Sequence, residues 1–224
     1  MTTGLSFTDE DLQRMYCSIA AVGDRGGTGM LLKASESSNR VLLFTNFHVL
    51  NGTNRARIMN VSQNFILPDG YLFEGSEVHD ICVIDVSRNI TDPVKIKLTI
   101  NDIEFASEGI TKAICAGWPM DDSEIRIGNP LTSNPKFLLG TIDQQRMEIN
   151  SPPQKRFGMQ THIGLSRGHS GSPIWIKGSN NQAKIAGMYA FMAHRFNGGI
   201  DQRFSVHGID LVDFAIRLLK SESP

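Results

Sequence analysis

The stretch with the clearest potential for chemistry is Gly164-Leu165-Ser166-Arg167-Gly168-His169-Ser170-Gly171-Ser172-Pro173. Ser170 has a glycine immediately after it and another two residues before it. Glycine allows backbone conformations that residues with a Cβ rarely adopt, so this loop can aim two backbone N–H groups at one point. Such a pair stabilises a developing negative charge, as in an oxyanion hole. The stretch therefore predicts a serine nucleophile, provided that the chain also supplies a base and a carboxylate.

The best candidate for the base is His48. A serine hydroxyl is a weak nucleophile at neutral pH and needs a neighbouring base to take its proton. His48 follows the apolar run Val41 to Phe47 and precedes the turn Asn51 to Asn54, and a strand end that opens into a loop holds a side chain firmly while leaving it accessible. Other histidines are interpreted as surface, core or pocket-rim residues: His162, His194 and His207.

The best candidate for the carboxylate is Asp80, which opens the apolar run Ile81 to Val86. An acid at the start of a buried strand suits the role of orienting an imidazole and stabilising its protonated form. Asp85 is the weaker alternative, because it lies five residues further along the same run. The hydroxyls of Ser166 and Ser172 are interpreted as loop or pocket groups.

The rest of the chain predicts an all-β protein with a helix at each end. Thr8 to Met15 has the pattern of a short helix with Thr8 as its N-cap, and Asp210 to Lys220 that of an amphipathic helix. Between them, short apolar runs alternate with turn residues. We expect strands at 17–22, 28–33, 40–45, 56–61, 81–86, 113–117, 137–143, 146–149, 157–161, 173–177 and 184–192. The expected divisions are 1–15 (helical appendage), 16–100 (first half, with His48 and Asp80), 101–208 (second half, with Ser170) and 209–224 (closing helix and tail).

Composition favours an ordinary globular protein. Of 224 residues, 22 are basic and 23 acidic, a formal net charge of -1, so no overall attraction to nucleic acid or to anionic membranes is expected. No apolar run is long enough for a membrane span, and no signal-peptide pattern is present. The odd set Cys17, Cys82 and Cys115 favours buried free thiols over a disulfide framework. Metal-ligand spacings are absent, and neither a metal nor an organic cofactor is expected.

Three short segments resemble the motifs of chymotrypsin/trypsin-like serine proteases, in the same chain order: Thr45-Asn46-Phe47-His48-Val49, Asp80-Ile81-Cys82-Val83-Ile84 and Gly168-His169-Ser170-Gly171-Ser172-Pro173. The first two segments resemble most the corresponding motifs of the non-secreted HtrA-type and viral chymotrypsin-like branches. The resemblance implies two perpendicular six-stranded β-barrels with a cleft between them. It implies that Ser170 is the nucleophile, His48 the base and Asp80 the residue that orients it, and that the N–H groups of Gly168 and Ser170 form the oxyanion hole.

The departures from the secreted enzymes of this family matter as well. The disulfide that brackets the catalytic histidine in those enzymes is absent here, and His169 replaces the aspartate that pairs with a newly cleaved N-terminus. Activation by that route is therefore not expected. An intracellular, cytoplasmic location is expected, because neither a disulfide framework nor a signal peptide is found in the sequence. No PDZ-like segment follows the closing helix.

The resemblance places the floor of the P1 pocket at Gly164, where trypsin-like enzymes carry an aspartate. A preference for Lys or Arg at P1 is therefore not expected. The remaining predicted substrate-binding residues give a mainly apolar lining and a neutral or hydrophobic P1: Leu165, Arg167, Tyr189, Ala190, Phe191 and Met192. An acidic P1 is the alternative, if a basic side chain reaches the pocket: Arg167, Arg195, Arg203 or His207.

The sequence thus predicts a serine endopeptidase that cleaves protein or peptide substrates through an acyl-enzyme intermediate. A viral-type polyprotein-processing protease is an alternative within this class. A catalytically silent protease fold that binds protein or RNA partners is an alternative outside it, although the complete set of His48, Asp80 and Ser170 favours the enzyme.

Overall fold

A computed structural model describes residues 7–23, 26–50, 57–60, 63–67, 71, 73–105, 109–118, 135–151, 154–193 and 202–221. The protein is built mainly of antiparallel strands in two sheets, with a helix, α1 (Asp9–Ser18), before the first sheet and a helix, α3 (Gly208–Ser221), after the second. The predicted fold class is confirmed.

The first sheet has seven strands in the order β5-β4-β1-β2-β3-β7-β6. A one-turn helix, α2 (Phe47–Leu50), follows β3. The strands are β1 (Ile19–Val22), β2 (Gly27–Lys33), β3 (Val41–Thr45), β4 (Arg57–Asn60), β5 (Gln63–Ile66), β6 (Phe73–Ser76) and β7 (Ile81–Asp85).

The second sheet closes into a six-stranded barrel in the order β10-β13-β12-β11-β8-β9. Three short 3₁₀ turns connect it to the first sheet: Ser87–Asn89, Pro93–Lys95 and Ile100–Asp102. The strands are β8 (Ile110–Gly117), β9 (Lys136–Ser151), β10 (Gln154–Ile163), β11 (Pro173–Lys177), β12 (Ala183–Ala193) and β13 (Gln202–His207).

Some elements differ from the predicted ones. The first sheet has seven described strands, whereas the resemblance implied six and the apolar runs predicted five. The runs missed β5 and β6, because these short, partly polar strands carry no clear apolar alternation. Strand β13, which opens with polar residues, was also not predicted. Strand β9 is continuous where two strands were expected. Its central Gln144 is buried, and its Nε2 donates to Thr111 Oγ1 at 2.8 Å. The pairing of β9 with β10 shifts register next to Gln144, between Gly158 and Gln160, and is regular on both sides of the shift.

One hydrophobic core joins the two sheets. Its members come from α1, the first sheet, the barrel and α3. The side chains of Phe44, Trp175 and Phe214 are among the largest buried there. Two smaller clusters fill the interior of each half separately. Because the large cluster spans the boundary, the two halves are fixed relative to each other by burial of apolar surface.

Helix α1 is tied to the barrel by a buried carboxylate. Thr8 caps the helix as predicted, with a reciprocal capping box to Asp11. Asp11 also accepts hydrogen bonds from Lys177 Nζ at 2.6 Å and from Ala183 N at 2.9 Å. Burial alone would raise the pKa of Asp11, but these hydrogen bonds outweigh it and lower the pKa to about 2. The carboxylate is therefore charged at neutral pH and holds the helix against β11 and β12.

The three cysteines are free thiols, as predicted, although Cys17 is only half-buried. Burial raises the pKa of Cys82 to about 12 and raises that of Cys115 further. Both thiols are thus protonated at neutral pH and act as apolar core groups. In the part of the chain that the structure describes, no helix has the length and apolar character that crossing a bilayer requires.

Candidate active site

His48 lies on the one-turn helix α2, directly after β3, rather than at the strand end itself. Its side chain is 47% exposed, so the imidazole is accessible from solvent. The neighbouring Phe47 lies against Gly75 of β6, where an added Cβ would meet its ring at 3.3 Å. Strand β3 fixes the start of α2, and α2 places the His48 imidazole at the surface.

Asp80 lies beside His48 and holds it through both backbone and side chain. Its two carboxylate oxygens are 2.9 and 2.8 Å from His48 Nδ1, and Oδ1 accepts from the His48 backbone N–H at 3.1 Å. The Asp80 side chain is 3% exposed. A buried carboxylate at Nδ1 selects the tautomer with the proton on Nδ1, which leaves Nε2 as the basic nitrogen.

The backbone of Asp80 adopts a conformation that is unusual for a residue other than glycine, with φ of 54°. Its carbonyl oxygen accepts from Asn46 Nδ2 at 2.9 Å, and its N–H donates to the Glu77 carbonyl at 3.2 Å. Left-handed conformations in residues with a Cβ persist where surrounding contacts determine them. Here those contacts aim the carboxylate at His48.

Asp85, the alternative acid, has different partners. It forms an ion pair with Arg40 at 2.8 Å and accepts from the Ser87 N–H and hydroxyl. Burial alone would raise the pKa of Asp85, but the hydrogen bonds from Ser87 and Arg40 outweigh it and lower the pKa. The structure therefore brings Asp80, and not Asp85, to the histidine.

Ser170 lies in the turn between β10 and β11, and two glycines shape this turn. Gly168 and Gly171 have φ of 91° and 87°, in the left-handed region that favours glycine. A Cβ on Gly171 would also lie 1.8 Å from the Thr28 carbonyl oxygen, so no larger residue fits. Within the described residues, the N–H groups of Gly168 and Ser170 donate to no protein acceptor. Both are free to bind a substrate oxygen.

The turn that carries Ser170 is docked onto the first sheet by the buried Thr28 of β2, which is itself held by the buried Thr45 of β3. The Thr28 N–H donates to the Ser170 carbonyl at 2.7 Å, and Thr28 Oγ1 donates to the Gly168 carbonyl at 3.0 Å. Thr45 Oγ1 donates to the Thr28 carbonyl at 2.8 Å. Thr45 is the last residue of β3 and lies three residues before His48. The Ser170 turn is thus fixed against the first sheet near the end of the strand that leads to His48.

The residue before the nucleophile, His169, is buried. Its Nδ1 lies 3.1 Å from the Ser166 carbonyl, and among the described residues its Nε2 has no hydrogen-bond partner. Burial lowers the pKa of His169, against the raising effect of the Ser166 carbonyl, and Lys136 lowers it further. The imidazole is therefore neutral at neutral pH and is part of the packing beneath the turn.

The residues expected to bind substrate differ in their placement. Gly164 is exposed, and nothing lies within 4 Å of where its Cβ would be. Leu165, Tyr189 and Ala190 are buried next to the turn. The Tyr189 N–H donates to the Ser172 carbonyl at 2.8 Å, and its carbonyl accepts from the Gly171 N–H at 2.9 Å, so β12 runs beside the nucleophile turn.

Of the three basic residues considered for this region that the structure describes, Arg203 is the one that it places against Leu165. Its Nε donates to the Leu165 carbonyl at 3.0 Å. Arg167 is exposed on the turn. His207 is buried elsewhere, with Nε2 3.0 Å from the Gln144 carbonyl. The side chains of Phe191 and Met192, together with His194 and Arg195, lie outside what the structure describes.

Sequence reasoning did not identify Thr28, Thr45 or Asn46 as parts of the site. Each acts through a hydrogen bond to a residue far along the chain, as in the Thr28 contact with Gly168. The only local signal was the flanking of Thr28 by Gly27 and Gly29, which suits a close approach of another backbone.

Comparison with known proteins gives the class of fold. No protein-family model matches the chain, and no curated protein matches it by sequence. Solved structures match it closely in shape. The active form of the Rv3671c protease from M. tuberculosis is 15% identical with a TM-score of 0.62, over 97% of this chain and 92% of that chain.

Two further solved structures agree with this result. The MamO protease domain from Magnetospirillum magneticum is 12% identical with a TM-score of 0.63, over 90% of this chain and 97% of that chain. A serine endoprotease from Yersinia pestis is 14% identical with a TM-score of 0.62, over 97% of this chain and 68% of that chain. The chain therefore has a chymotrypsin-like serine protease fold, and the resemblance seen in the three sequence motifs is confirmed at the level of the fold.

Proposed function

We propose that this protein is a serine endopeptidase that cleaves protein or peptide substrates through an acyl-enzyme intermediate. The observation that carries the proposal is the bidentate contact of Asp80 with His48 Nδ1. The bonds from Thr28 of β2 to the Ser170 turn, and from Thr45 of β3 to Thr28, support it, because they connect the turn of the proposed nucleophile to the strand that leads to the proposed base. A fold that only binds partners has no need for a buried carboxylate at the Nδ1 of an exposed histidine.

In the proposed reaction, Ser170 Oγ attacks the scissile carbonyl carbon and its proton passes to His48 Nε2. The N–H groups of Gly168 and Ser170 bind the resulting oxyanion. The C–N bond then breaks, His48 returns the proton to the leaving amine, and the acyl group remains on Ser170. Water, deprotonated by the same nitrogen, attacks the ester and releases the acid. Asp80 stays ionised throughout and stabilises the imidazolium.

The proposal includes a P1 preference for neutral or hydrophobic side chains rather than basic ones. Gly164 provides no carboxylate for a Lys or Arg side chain, whereas the Arg203 guanidinium lies one residue away, at the Leu165 carbonyl. A positive charge at this place opposes a positive P1 side chain. The buried side chains of Tyr189 and Ala190 supply apolar surface beside it.

The enzymatic part of the proposal is tested by labelling with a fluorophosphonate, which reacts with activated serines. We expect the wild type and Ser166→Ala to be labelled equally, since Ser166 is exposed on the same turn. Ser170→Ala should not be labelled, and His48→Ala should be labelled at least about 100-fold more slowly because the base is lost. Failure of the wild type to react, or equal labelling of Ser170→Ala, would contradict the proposal.

The P1 preference is tested with a peptide library. We expect cleavage after uncharged, mainly apolar residues, and an increase in cleavage after Lys or Arg when Arg203→Leu removes the positive charge. Arg88→Leu serves as the control, because this exposed arginine lies on the 3₁₀ turn Ser87–Asn89 and belongs to none of the predicted substrate-binding residues. Dominant cleavage after Lys or Arg by the wild type would contradict the proposed preference, and dominant cleavage after Asp or Glu would replace it with an acidic one.

A further inference from the structure

A continuous stack of aromatic and guanidinium groups surrounds His79, the residue before Asp80. The His79 ring lies parallel to Phe157 with centroids 6.0 Å apart, and tilted against Phe214 at 5.6 Å. The Arg146 Cζ atom lies 4.5 Å from the centroid of the Phe157 ring, and the Arg217 Cζ atom lies 4.8 Å from that of the Phe214 ring. We refer to these five residues as the His79 stack.

The members of the His79 stack come from both halves of the protein. His79 belongs to the turn between β6 and β7 of the first sheet, whereas Phe157 is on β10 of the barrel and Phe214 is on α3. Arg146 also forms an ion pair with Asp210 of α3 at 2.9 Å. Contacts from the barrel, which carries Ser170, and from α3 therefore hold the turn that carries Asp80.

Hydrogen bonds within the turn connect His79 to the conformation of Asp80. Ser76 Oγ accepts from the His79 N–H at 3.2 Å and lies 2.9 Å from its Nδ1. The next residue is Asp80, with its φ of 54° and its N–H bonded to Glu77. Because successive residues share the turn backbone, the position of the His79 ring constrains the direction of the Asp80 carboxylate.

We propose that His79 is a positioning residue, whose ring, packed against Phe157 and Phe214, holds Asp80 in the conformation that contacts His48. This inference rests on the proposed function for its catalytic consequence. Two aromatic rings contact the imidazole, whereas Ser76 holds one edge of it, so the aromatic contacts are the part that matters most. The role is thus one that another aromatic ring can fill.

The test uses three substitutions in the full chain. His79→Ala removes the ring, His79→Phe keeps a ring of similar shape without nitrogen atoms, and Val78→Ala is the matched control in the same turn, at a side chain that is exposed. For each variant, kcat, KM, the thermal midpoint and the NMR titration midpoint of the His48 ring are measured. Phe157→Leu removes one of the two aromatic rings that contact His79. Because Phe157 is only half-buried, this variant is the second route in case His79→Ala does not fold.

For His79→Ala we expect kcat to fall by on the order of 10-fold to 100-fold with KM unchanged, since a small misplacement of a catalytic group lowers turnover that much. The acidic limb of the kcat/KM profile and the His48 NMR midpoint should both move to lower pH, because a looser carboxylate stabilises the imidazolium less. His79→Phe should retain most of kcat and both midpoints, and Phe157→Leu should change them in the direction of His79→Ala.

Unchanged kcat and His48 midpoint in a folded His79→Ala would overturn the inference, as would a His79→Phe that is as impaired as His79→Ala. The two proposals fail separately. A wild type that does not react with a fluorophosphonate refutes the proposed function, while the NMR midpoints still report whether His79 positions Asp80.

Discussion

The two parts of the candidate site are held by different kinds of contact. His48 and Asp80 meet through side-chain atoms, in a contact that needs a carboxylate and an imidazole. The turn of Ser170 is held through the backbone carbonyls of Gly168 and Ser170, which accept hydrogen bonds from Thr28. The first part depends on chemical identity, and the second on local geometry. Substitutions in the first part should therefore affect chemistry more than stability, and those in the second should affect both.

The largest expected effect distinguishes two carboxylates at opposite ends of β7. Asp80→Asn should lower kcat by about 10⁴-fold, because the amide favours the wrong imidazole tautomer. Asp85→Asn weakens the ion pair with Arg40 at the other end of the strand. This substitution should leave kcat within about 2-fold but lower the free energy of unfolding by about 1 to 3 kcal/mol. Steady-state kinetics and urea unfolding of both variants measure this contrast. Equal losses of kcat would show that the position of Asp80 carries no special role.

An intermediate effect is expected at Thr28. Thr28→Val keeps the shape of the side chain but leaves the buried Gly168 carbonyl without its donor, which should lower the free energy of unfolding by about 1 to 3 kcal/mol. Because the Gly168 N–H is also a proposed oxyanion donor, kcat should fall by roughly 10-fold. Thr28→Ser keeps the hydroxyl and is the matched control. Wild-type kcat in Thr28→Val would show that the turn keeps its shape without this bond.

The smallest effect concerns the pH dependence of stability through His169. Burial lowers the pKa of this imidazole in the folded protein, whereas the unfolded chain takes up a proton near the ordinary value of about 6.5. The unfolded state thus binds more protons below that pH, and stability decreases as the pH falls. His169→Asn, which does not titrate, should show a shallower loss of stability between about pH 7.5 and about pH 5.5.

The control for this measurement is His162→Asn, at an exposed position on β10. It should follow the wild-type dependence of the urea unfolding free energy on pH. A wild-type slope in His169→Asn would show that the buried imidazole does not contribute to the loss of stability of the protein at acidic pH.

The contact between Asp80 and His48 could be expected from the sequence, because each residue stands next to an apolar run that marks its strand. The same reasoning predicted α1 with its Thr8 cap and the apolar face of α3, where Leu211, Ala215 and Leu218 are buried. These features depend on periodicity and on residues close in sequence. Tertiary contacts were not needed to expect them.

The contacts that fix the site could not be inferred in this way. Thr28 reaches Gly168 across 140 residues, and His79 meets two rings from the barrel and from α3. Neither has a local pattern, because each is created by the way that the two sheets come together. The conformation of Asp80 likewise depends on Asn46 and on the turn, and a positive φ outside glycine is not encoded by the residue itself.

The central claim, that Ser170 forms an acyl-enzyme with the help of His48 and Asp80, is tested most directly by trapping the acyl group. The wild type is mixed with p-nitrophenyl acetate, quenched with acid, digested and mapped by mass spectrometry. We predict a burst of nitrophenol and one acetyl group on the peptide that contains Ser170, both absent from Ser170→Ala and strongly reduced in Asp80→Asn. No acetylation of that peptide, or the same acetylation pattern in Ser170→Ala, would contradict the account.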